Sequence, residues 1–436
     1  MMMRKQLTSV SRRGFIKSAG IAAATISAPI ILPSGCISSR VSPSHKITLG
    51  FIGMGNQGMS RNLGTFLNQD DATILAVCDC KLSAAHEGKK VVDARYGNND
   101  CAVYQDFREV IARTDIDAVV ISTPDHWHMP MSMMALQAGK DVFCEKPSLF
   151  IKEGIEMVAE VKKRKAVFQW GIEDRSLIKY HHMAGWVRSG AIGRLQSIHV
   201  TLPGQEPYLL DKPAPVPADL DWNLWVGPAP MREYTPTITG PMNWRLNVDF
   251  GGGMLTDWGA HICDTAQVAA GMERSGPVEV SGTGRELDPK IYQTNAPIGF
   301  NLHYRYANGV EMFVNDGEVD LWFVGTKGWV RCKGWDGIWS ASDPEILRIK
   351  DFGRRMWPLP PIEHRDFLDS MRSGRPPAYF AEAGHRLSTT LHLGHIALRS
   401  GRTIRWDPKK EFFAKGDTES ARSIVYDRPA RDWEKA

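Results

Sequence analysis

The stretch Ile47–Gly58, reading ITLGFIGMGNQG, constrains this chain more than any other. An apolar run of strand type leads into Gly53, Gly55 and Gly58, spaced G-x-G-x-x-G, and a helix-compatible segment follows directly. In a strand–turn–helix unit the first glycine allows the tight turn, the second lets the backbone approach a pyrophosphate, and the third lets the helix pack closely on the sheet. Free N–H groups at the start of that helix then face the phosphates. With 40 glycines among 436 residues the triplet alone says little, and its surroundings carry the weight. A second strand over 73–77 ends at Asp79, 21 residues after Gly58, close to the spacing expected for a carboxylate that binds ribose hydroxyls. An acid there repels a 2′-phosphate, which favours NAD over NADP.

Beyond Asp79 the pattern predicts helices over 82–96 and 106–113 and a buried parallel-type strand over 117–122 (DAVVIS). Short apolar runs alternating with helices mean a doubly wound sheet. The strand runs into Thr123-Pro124-Asp125-His126-Trp127-His128, placing Thr123 and Pro124 at the carboxyl edge where a nucleotide lies. His126-x-His128 lacks further metal ligands nearby and reads as loop and helix-start packing, so no metal is expected. A helix over 130–138 closes with Gly139, and the next strand ends in Glu145-Lys146-Pro147. Glu145 and Lys146 thus fall on the nicotinamide half of the crevice, where an ammonium can polarise a hydroxyl or carbonyl oxygen.

The motifs GFIGMGNQG, CD after the second strand, TPDHWH and AGKDVFCEKP, in this order and spacing, together resemble the Gfo/Idh/MocA family of nicotinamide-dependent sugar and polyol oxidoreductases. The resemblance implies that Lys146 belongs to the catalytic group and precedes a cis proline. It runs from about Lys46 to the end of the chain, where WDPKKEFFAKGD looks like exported bacterial members. A helix over 151–164 and a sixth strand over 167–170 complete the nucleotide domain, placed at 45–170. Gly171-Ile172-Glu173-Asp174-Arg175 follows. Glu173 departs from the Gln-containing version common in the family, and Arg175 either reaches a substrate or pairs with Glu173 or Asp174.

From Leu195 the texture changes to strands at 195–202, 278–285, 298–307, 310–315, 321–324 and 329–333, joined by short turns, with Asn308-Gly309 as a hairpin signal. Few crossover helices imply an open, mostly antiparallel sheet in an α+β domain over 171–400; the family resemblance implies that this domain serves substrate binding and, through its exposed face, dimer or tetramer formation. The Pro- and Trp-rich segment 203–250 is too aromatic for disorder, and Trp244 and Arg245 within it are substrate candidates. Gly251-Gly252-Gly253 then opens a helix to Ala270 that carries Asp257, His261 and Asp264 on one face. A carboxylate beside an imidazole raises its basicity and suits a general base, so Asp257 is expected to tune His261. The segment also resembles the family's G-G-G-x-x-x-D-x-G-x-H stretch, which carries Asp257 and His261 over as catalytic candidates beside Lys146; Asp264 is a further substrate candidate. The pattern reads as helices over 362–373 and 382–401, which the family resemblance implies return to the nucleotide domain, leaving a tail over 401–436.

Residues 1–40 stand apart as a signal and flexible lead. Ser11-Arg12-Arg13-Gly14-Phe15-Ile16-Lys17 resembles the bacterial twin-arginine signal and precedes a weakly apolar stretch too short and too rich in Ala, Ser and Gly to span a membrane. The expectation is export of a folded protein to the periplasm through the twin-arginine translocase, with lipid anchoring through Cys36 an alternative end. Seven cysteines without regular spacing argue against a disulfide framework. A net charge of +4 with no basic run argues against nucleic acid as a partner.

These features, with the family resemblance, point to an NAD-dependent oxidoreductase acting on a sugar or glycoside CH–OH group; the resemblance further implies a homo-oligomer. Free NAD is not expected outside the cytoplasm, so the cofactor should stay bound and be restored in each cycle. Redox exchange between a sugar and a second carbonyl, or glycoside cleavage through a transient ketone, both meet that demand. A non-catalytic sugar-binding protein with a structural nucleotide is the third reading.

Overall fold

The computed structural model describes residues 46–335, 337–352, 356–417, 425–427 and 431–433. The expected signal and Cys36 lie outside the described residues. Six parallel strands form the first sheet: β1 (Ile47–Ile52), β2 (Ala72–Cys78), β3 (Ala102–Tyr104), β4 (Ala118–Ile121), β5 (Asp141–Glu145) and β6 (Phe168–Gly171), in the order β3-β2-β1-β4-β5-β6. The strands are nearly continuous apolar runs because both faces are covered. Alternation sends Leu49, Phe51, Val120 and Phe143 into one core, and Ile52, Val119, Ile121 and Val142 into the other. The order reverses between β1 and β4, and at such a reversal the carboxyl ends part to leave a crevice.

Around this sheet lie α1 (Leu82–Tyr96), α2 (Phe107–Ala112), α3 (Asp125–Gln137) and α4 (Ile151–Arg164). The helix α3 begins five residues before the expected start at 130. Pro124 caps it, and Pro130 stands inside it. His126 and His128 are therefore helical and buried, as packing groups: their rings meet the carbonyls of Trp225, Pro147 and Thr123. The Lys146–Pro147 bond is cis.

The second sheet has nine strands, β7 (Leu195–Pro203), β8 (Glu279–Arg285), β9 (Ile298–Arg305), β10 (Glu311–Gly317), β11 (Asp320–Gly325), β12 (Trp329–Lys333), β13 (Trp339–Ala341), β14 (Ile404–Asp407) and β15 (Phe412–Phe413). Their order is β13-β12-β11-β7-β10-β9-β8-β14-β15, and every pair is antiparallel except β7 with β10. The sequence pattern did not show α5 (Ile178–Ser189) or the strands β14 and β15 that extend one edge. Three helices cover the inner face: α5, α6 (Gly253–Ala269) and α8 (Ala381–Ser400). Enclosed by sheet and helices, α6 buries 15 of its 17 residues; the exceptions are Trp258 and His261. Helix α7 (Glu363–Ser373) does return to the first sheet, setting Phe367, Leu368 and Met371 into the core of Leu49, Phe51 and Phe143.

Candidate active site

A cavity of about 560 Å³ runs from the glycine turn, past the ends of β4 and β5, to helix α6. Its nucleotide end is shaped by what glycine leaves out. Gly53 has φ +95°, and a Cβ there would lie 2.6 Å from Ser122 O. At Gly58 a Cβ would lie 2.0 Å from Gly53 O, so only glycine lets the following helix, Gln57–Leu63, sit against the turn. Gly55 differs: a Cβ would meet nothing within 4 Å, and the residue lines the cavity. Its bare backbone is therefore what a pyrophosphate approaches. Asp79 lines the same end, its Oδ2 accepting from Met54 N at 2.7 Å and its Oδ1 from Lys81 N at 2.8 Å. Burial pushes this carboxyl up, and the two backbone N–H groups draw it back without cancelling the shift. Thr123 also lines the cavity, and its buried Oγ1 has no hydrogen-bond partner among the described residues. An open glycine backbone, a ribose-height carboxylate and an unspent hydroxyl fit a dinucleotide.

A loop from the second half of the chain crosses this end. Leu82 N donates to Asp219 O at 2.8 Å, Asp221 N to Cys80 O at 2.9 Å, and Ser83 Oγ to Asp219 Oδ2 at 2.5 Å. The loop continues into the short helix Trp222–Val226, to which the last described residues are fastened. Arg431 Nη1 donates to Gly227 O at 2.9 Å, and the Trp433 ring stands edge-on to Trp127, centroids 4.9 Å apart.

At the middle of the cavity Glu145 and Lys146 leave the end of β5 in opposite directions. Glu145 turns toward the glycine helix, where its Oε1 accepts from Gln57 Nε2 at 3.0 Å and Asn62 Nδ2 at 2.9 Å. Burial raises its pKa against the pull of those amides. Lys146 turns toward α6, donating from Nζ to Asp257 Oδ1 at 2.6 Å and to Asp257 O at 3.0 Å. Arg245 Nε shares that carboxylate oxygen at 3.1 Å, and its guanidinium lies 4.2 Å over the Trp244 ring. Burial alone pushes the Asp257 carboxyl up, but the two cations outweigh it and hold it well below the usual range.

The expected pairing of Asp257 with His261 is corrected by this geometry. Asp257 is drawn to Lys146 and Arg245, while His261, one turn further along α6, meets the chain that leaves β6. Its Nδ1 stands 2.8 Å from Asp174 Oδ2, and Asp174 is 1% exposed. Burial and the Lys146 charge lower the imidazole's pKa, the carboxylates of Asp174 and Glu173 raise it, and the net shift is upward. With Nδ1–H donating to Asp174, Nε2 is left as the proton acceptor. Rings of Trp258 and Trp335 flank the imidazole at centroid distances of 5.9 and 5.2 Å.

Two substrate candidates are displaced. Arg175 clasps Asp264 in a bidentate pair, Nε to Oδ2 at 2.9 Å and Nη2 to Oδ1 at 2.8 Å, and its Nη1 donates to Ala378 O at 2.8 Å. Both residues are at most 3% exposed, and neither lines the cavity. Arg175 pairs with neither Glu173 nor Asp174, because Asp264 offers the planar two-oxygen match a guanidinium needs. Trp244 and Arg245 do line the cavity. Sequence reading missed Asp174 as the partner of His261; its signal was an acid immediately beyond the carboxyl edge of a strand.

Residues 47–172 match the model described as "Oxidoreductase family, NAD-binding Rossmann fold", and residues 204–435 match that family's "C-terminal alpha/beta domain". Among curated proteins, an alpha-N-acetylgalactosaminidase of Shewanella oneidensis is 29% identical over 177 residues, 36% of this chain and 38% of the relative. A glycosyl hydrolase family 109 protein of Shewanella amazonensis is 29% identical over 218 residues, 43% of this chain and 45% of the relative. The match thus spans less than half of either relative's length. Among solved structures, the WlbA dehydrogenase of Bordetella pertussis, in complex with NADH and UDP-GlcNAcA, aligns at TM-score 0.62 and 18% identity, covering 83% of this chain and 99% of that one. The aldose-aldose oxidoreductase of Caulobacter crescentus aligns at TM-score 0.58 and 20% identity, covering 83% of this chain and 100% of that one. At these identities the structural likeness carries the fold alone.

Proposed function

The chain belongs to the Gfo/Idh/MocA oxidoreductase family and carries its NAD-binding Rossmann domain, and on that premise we propose that it oxidises a secondary hydroxyl of a sugar or glycoside with an NAD it retains. The observation that carries this reading is the convergence on one cavity of Lys146, paired with Asp257, and His261, paired with the buried Asp174 behind it. In the proposed reaction His261 Nε2 takes the hydroxyl proton, and Asp174 stabilises the imidazolium that forms. The Lys146 ammonium, fixed by two contacts to Asp257, faces the carbinol oxygen and holds it as its bond to carbon shortens. Bound nicotinamide supplies the hydride acceptor. The residues supply position, charge and a route for one proton.

Retention of the nucleotide and location in the periplasm belong to the same proposal. They are supported by the twin-arginine-like residues 11–17 and by the loop that crosses beside Asp79. Self-association through the outer face of the second sheet is proposed as well, on the aromatic row there, where Phe313 is stacked on both His199 and His303. A second reading, glycoside cleavage through a transient ketone, is favoured by the 29% identity to proteins named as glycosidases.

The test uses protein purified without added nucleotide. Absorbance in the NADH band is followed while a panel of methyl glycosides and free sugars is added, with products identified by mass. A band that appears and persists until a carbonyl acceptor is supplied supports oxidoreduction, and a freed alcohol without lasting band supports cleavage. Absence of any bound or bindable nucleotide rejects the proposal.

A further inference from the structure

Beside Asp79 the cavity draws apolar walls from both halves of the chain, Ala84 and Phe107 from the first and Pro217, Leu220 and Leu224 from the second. Such walls next to a ribose-height carboxylate fit the flat purine of an adenosine. The second-half wall arrives on a stiff approach, because every other residue from Pro213 to Pro217 is proline. It then pairs with the turn after β2 as an isolated antiparallel bridge, Lys81 opposite Leu220. Leu82 N donates to Asp219 O at 2.8 Å and Asp221 N to Cys80 O at 2.9 Å. Gln105 Nε2 reaches Cys80 O at 3.0 Å and Asp219 O at 3.3 Å, and Ser83 Oγ donates to Asp219 Oδ2 at 2.5 Å. Lys81 N donates to Asp79 Oδ1 at 2.8 Å, so the ribose carboxylate and the crossing chain share one short turn. Further along, Leu224 O accepts from Trp127 Nε1 at 2.9 Å, and Trp225 and Val226 pack with Ile238 and Phe250 in a small core of their own.

We infer that residues 217–221 are a strap over the adenosine of the bound nucleotide, and that the nucleotide leaves only when the bridge between Lys81 and Leu220 parts. The inference deepens the retention proposed above, and rests on it, by naming the segment that enforces it. The strap opens between a stiff proline arm and a helix fixed by Trp127, so few residues have to move. Asp219 does not line the cavity. It is a positioning residue, which holds Pro217 and Leu220 over the slot through Ser83 and the backbone of Leu82. Release is then a local opening of the chain, with a rate set by the bonds between 80–83 and 219–221 as well as by the fit of the slot. Lys146 and His261, at the reacting end, take no part in it.

The experiment follows release. Protein loaded with NADH is mixed with excess NAD, and the loss of bound-NADH fluorescence gives the dissociation rate. Ser83→Ala and Asp219→Ala remove the same hydrogen bond, so each should speed release roughly three- to tenfold, and the double variant no more than either alone. A reversible cross-link tests the same motion from the other side. Lys81 and Leu220 face each other as a non-hydrogen-bonded pair, whose Cα atoms stand about 4.5 Å apart, inside the window of about 4.4–6.8 Å that a disulfide spans. In Lys81→Cys with Leu220→Cys, made in a Cys80→Ser background to keep that thiol out of the exchange, oxidation of the loaded protein should slow release at least about tenfold, and reductant should restore it. A wild type that holds NADH, with a release rate that neither the cross-link nor the substitutions change, overturns this inference alone. A wild type that arrives from purification empty and releases NADH as fast as the reduced cross-link variant overturns the retention reading beneath it as well.

Discussion

His261 Nδ1 lies 2.8 Å from Asp174 Oδ2, although the two residues are 87 apart in sequence and leave different layers of the fold, α6 and the end of β6. A carboxylate one helical turn away stays separate because Lys146 and Arg245 hold it. The proton-accepting ring and the polarising ammonium therefore answer to different acids.

That separation predicts different phenotypes. The rate of oxidation should rise with pH through the pKa of His261, which lies above its ordinary 6.5. In Asp174→Asn the attraction is lost while burial remains, so the pKa falls, the rising limb moves to lower pH, and the plateau drops by roughly 10²- to 10⁴-fold. In Asp257→Asn the limb should stay near its place while Lys146 loses its anchor, with a loss of roughly 10²-fold. pH–rate profiles of the two variants decide this; equal displacement of both limbs contradicts the assignment.

Lys146→Met should lower nucleotide reduction by at least about 10²-fold. Nucleotide content on purification should stay within about twofold of wild type, because the Lys146 Nζ contacts run to Asp257 and not to the glycine turn. Loss of nucleotide in parallel with rate would make Lys146 a cofactor ligand first.

Gly55 and Gly58 should separate cleanly. Gly55→Ala places its methyl in open space, so melting of the nucleotide-free protein should change little while nucleotide affinity falls at least about tenfold. Gly58→Ala drives a methyl to 2.0 Å from Gly53 O, which should cost several kcal/mol, on the order of 1–3 or more for overpacking. Thermal melts with and without NAD distinguish the two.

Much of this arrangement is legible in the chain itself. The glycine spacing, the acid that follows β2 and the buried run of β4 report local requirements of a nucleotide turn, and the helices at 82–96 and 151–164 fall on the residues expected. What pattern could not show was partner choice. Asp257 and His261 stand four apart on one helix, and nothing local says that a lysine from β5 takes the first and an aspartate beyond β6 the second. Arg175 and Asp264 both stand near the site in sequence order, yet they pair with each other and neither lines the cavity. Helix α3 started early because the polar run Asp125–His128 hid buried positions that long-range carbonyl partners make acceptable.

Acid should weaken the fold through buried histidines of α8. His392 is neutral against Ser148 O, its pKa lowered by burial to about 4, and that of His395 is pushed well below 6.5. Each binds a proton more readily unfolded than folded, so stability they contribute is present above pH 6.5 and declines as pH falls toward 4. His395→Leu should therefore gain on the wild type progressively over that window in chemical-denaturation midpoints. A constant difference between the two proteins would contradict the protonation account.

Arg431 and Trp433 lie at the far end of the chain from Gly53, yet they brace the Trp222–Val226 helix and Trp127, which wall the cavity the glycine turn opens. The cleft opened at the end of β1 is thus braced by residues far from it in sequence. Loosening that distant segment would leave the groove with one wall unsupported.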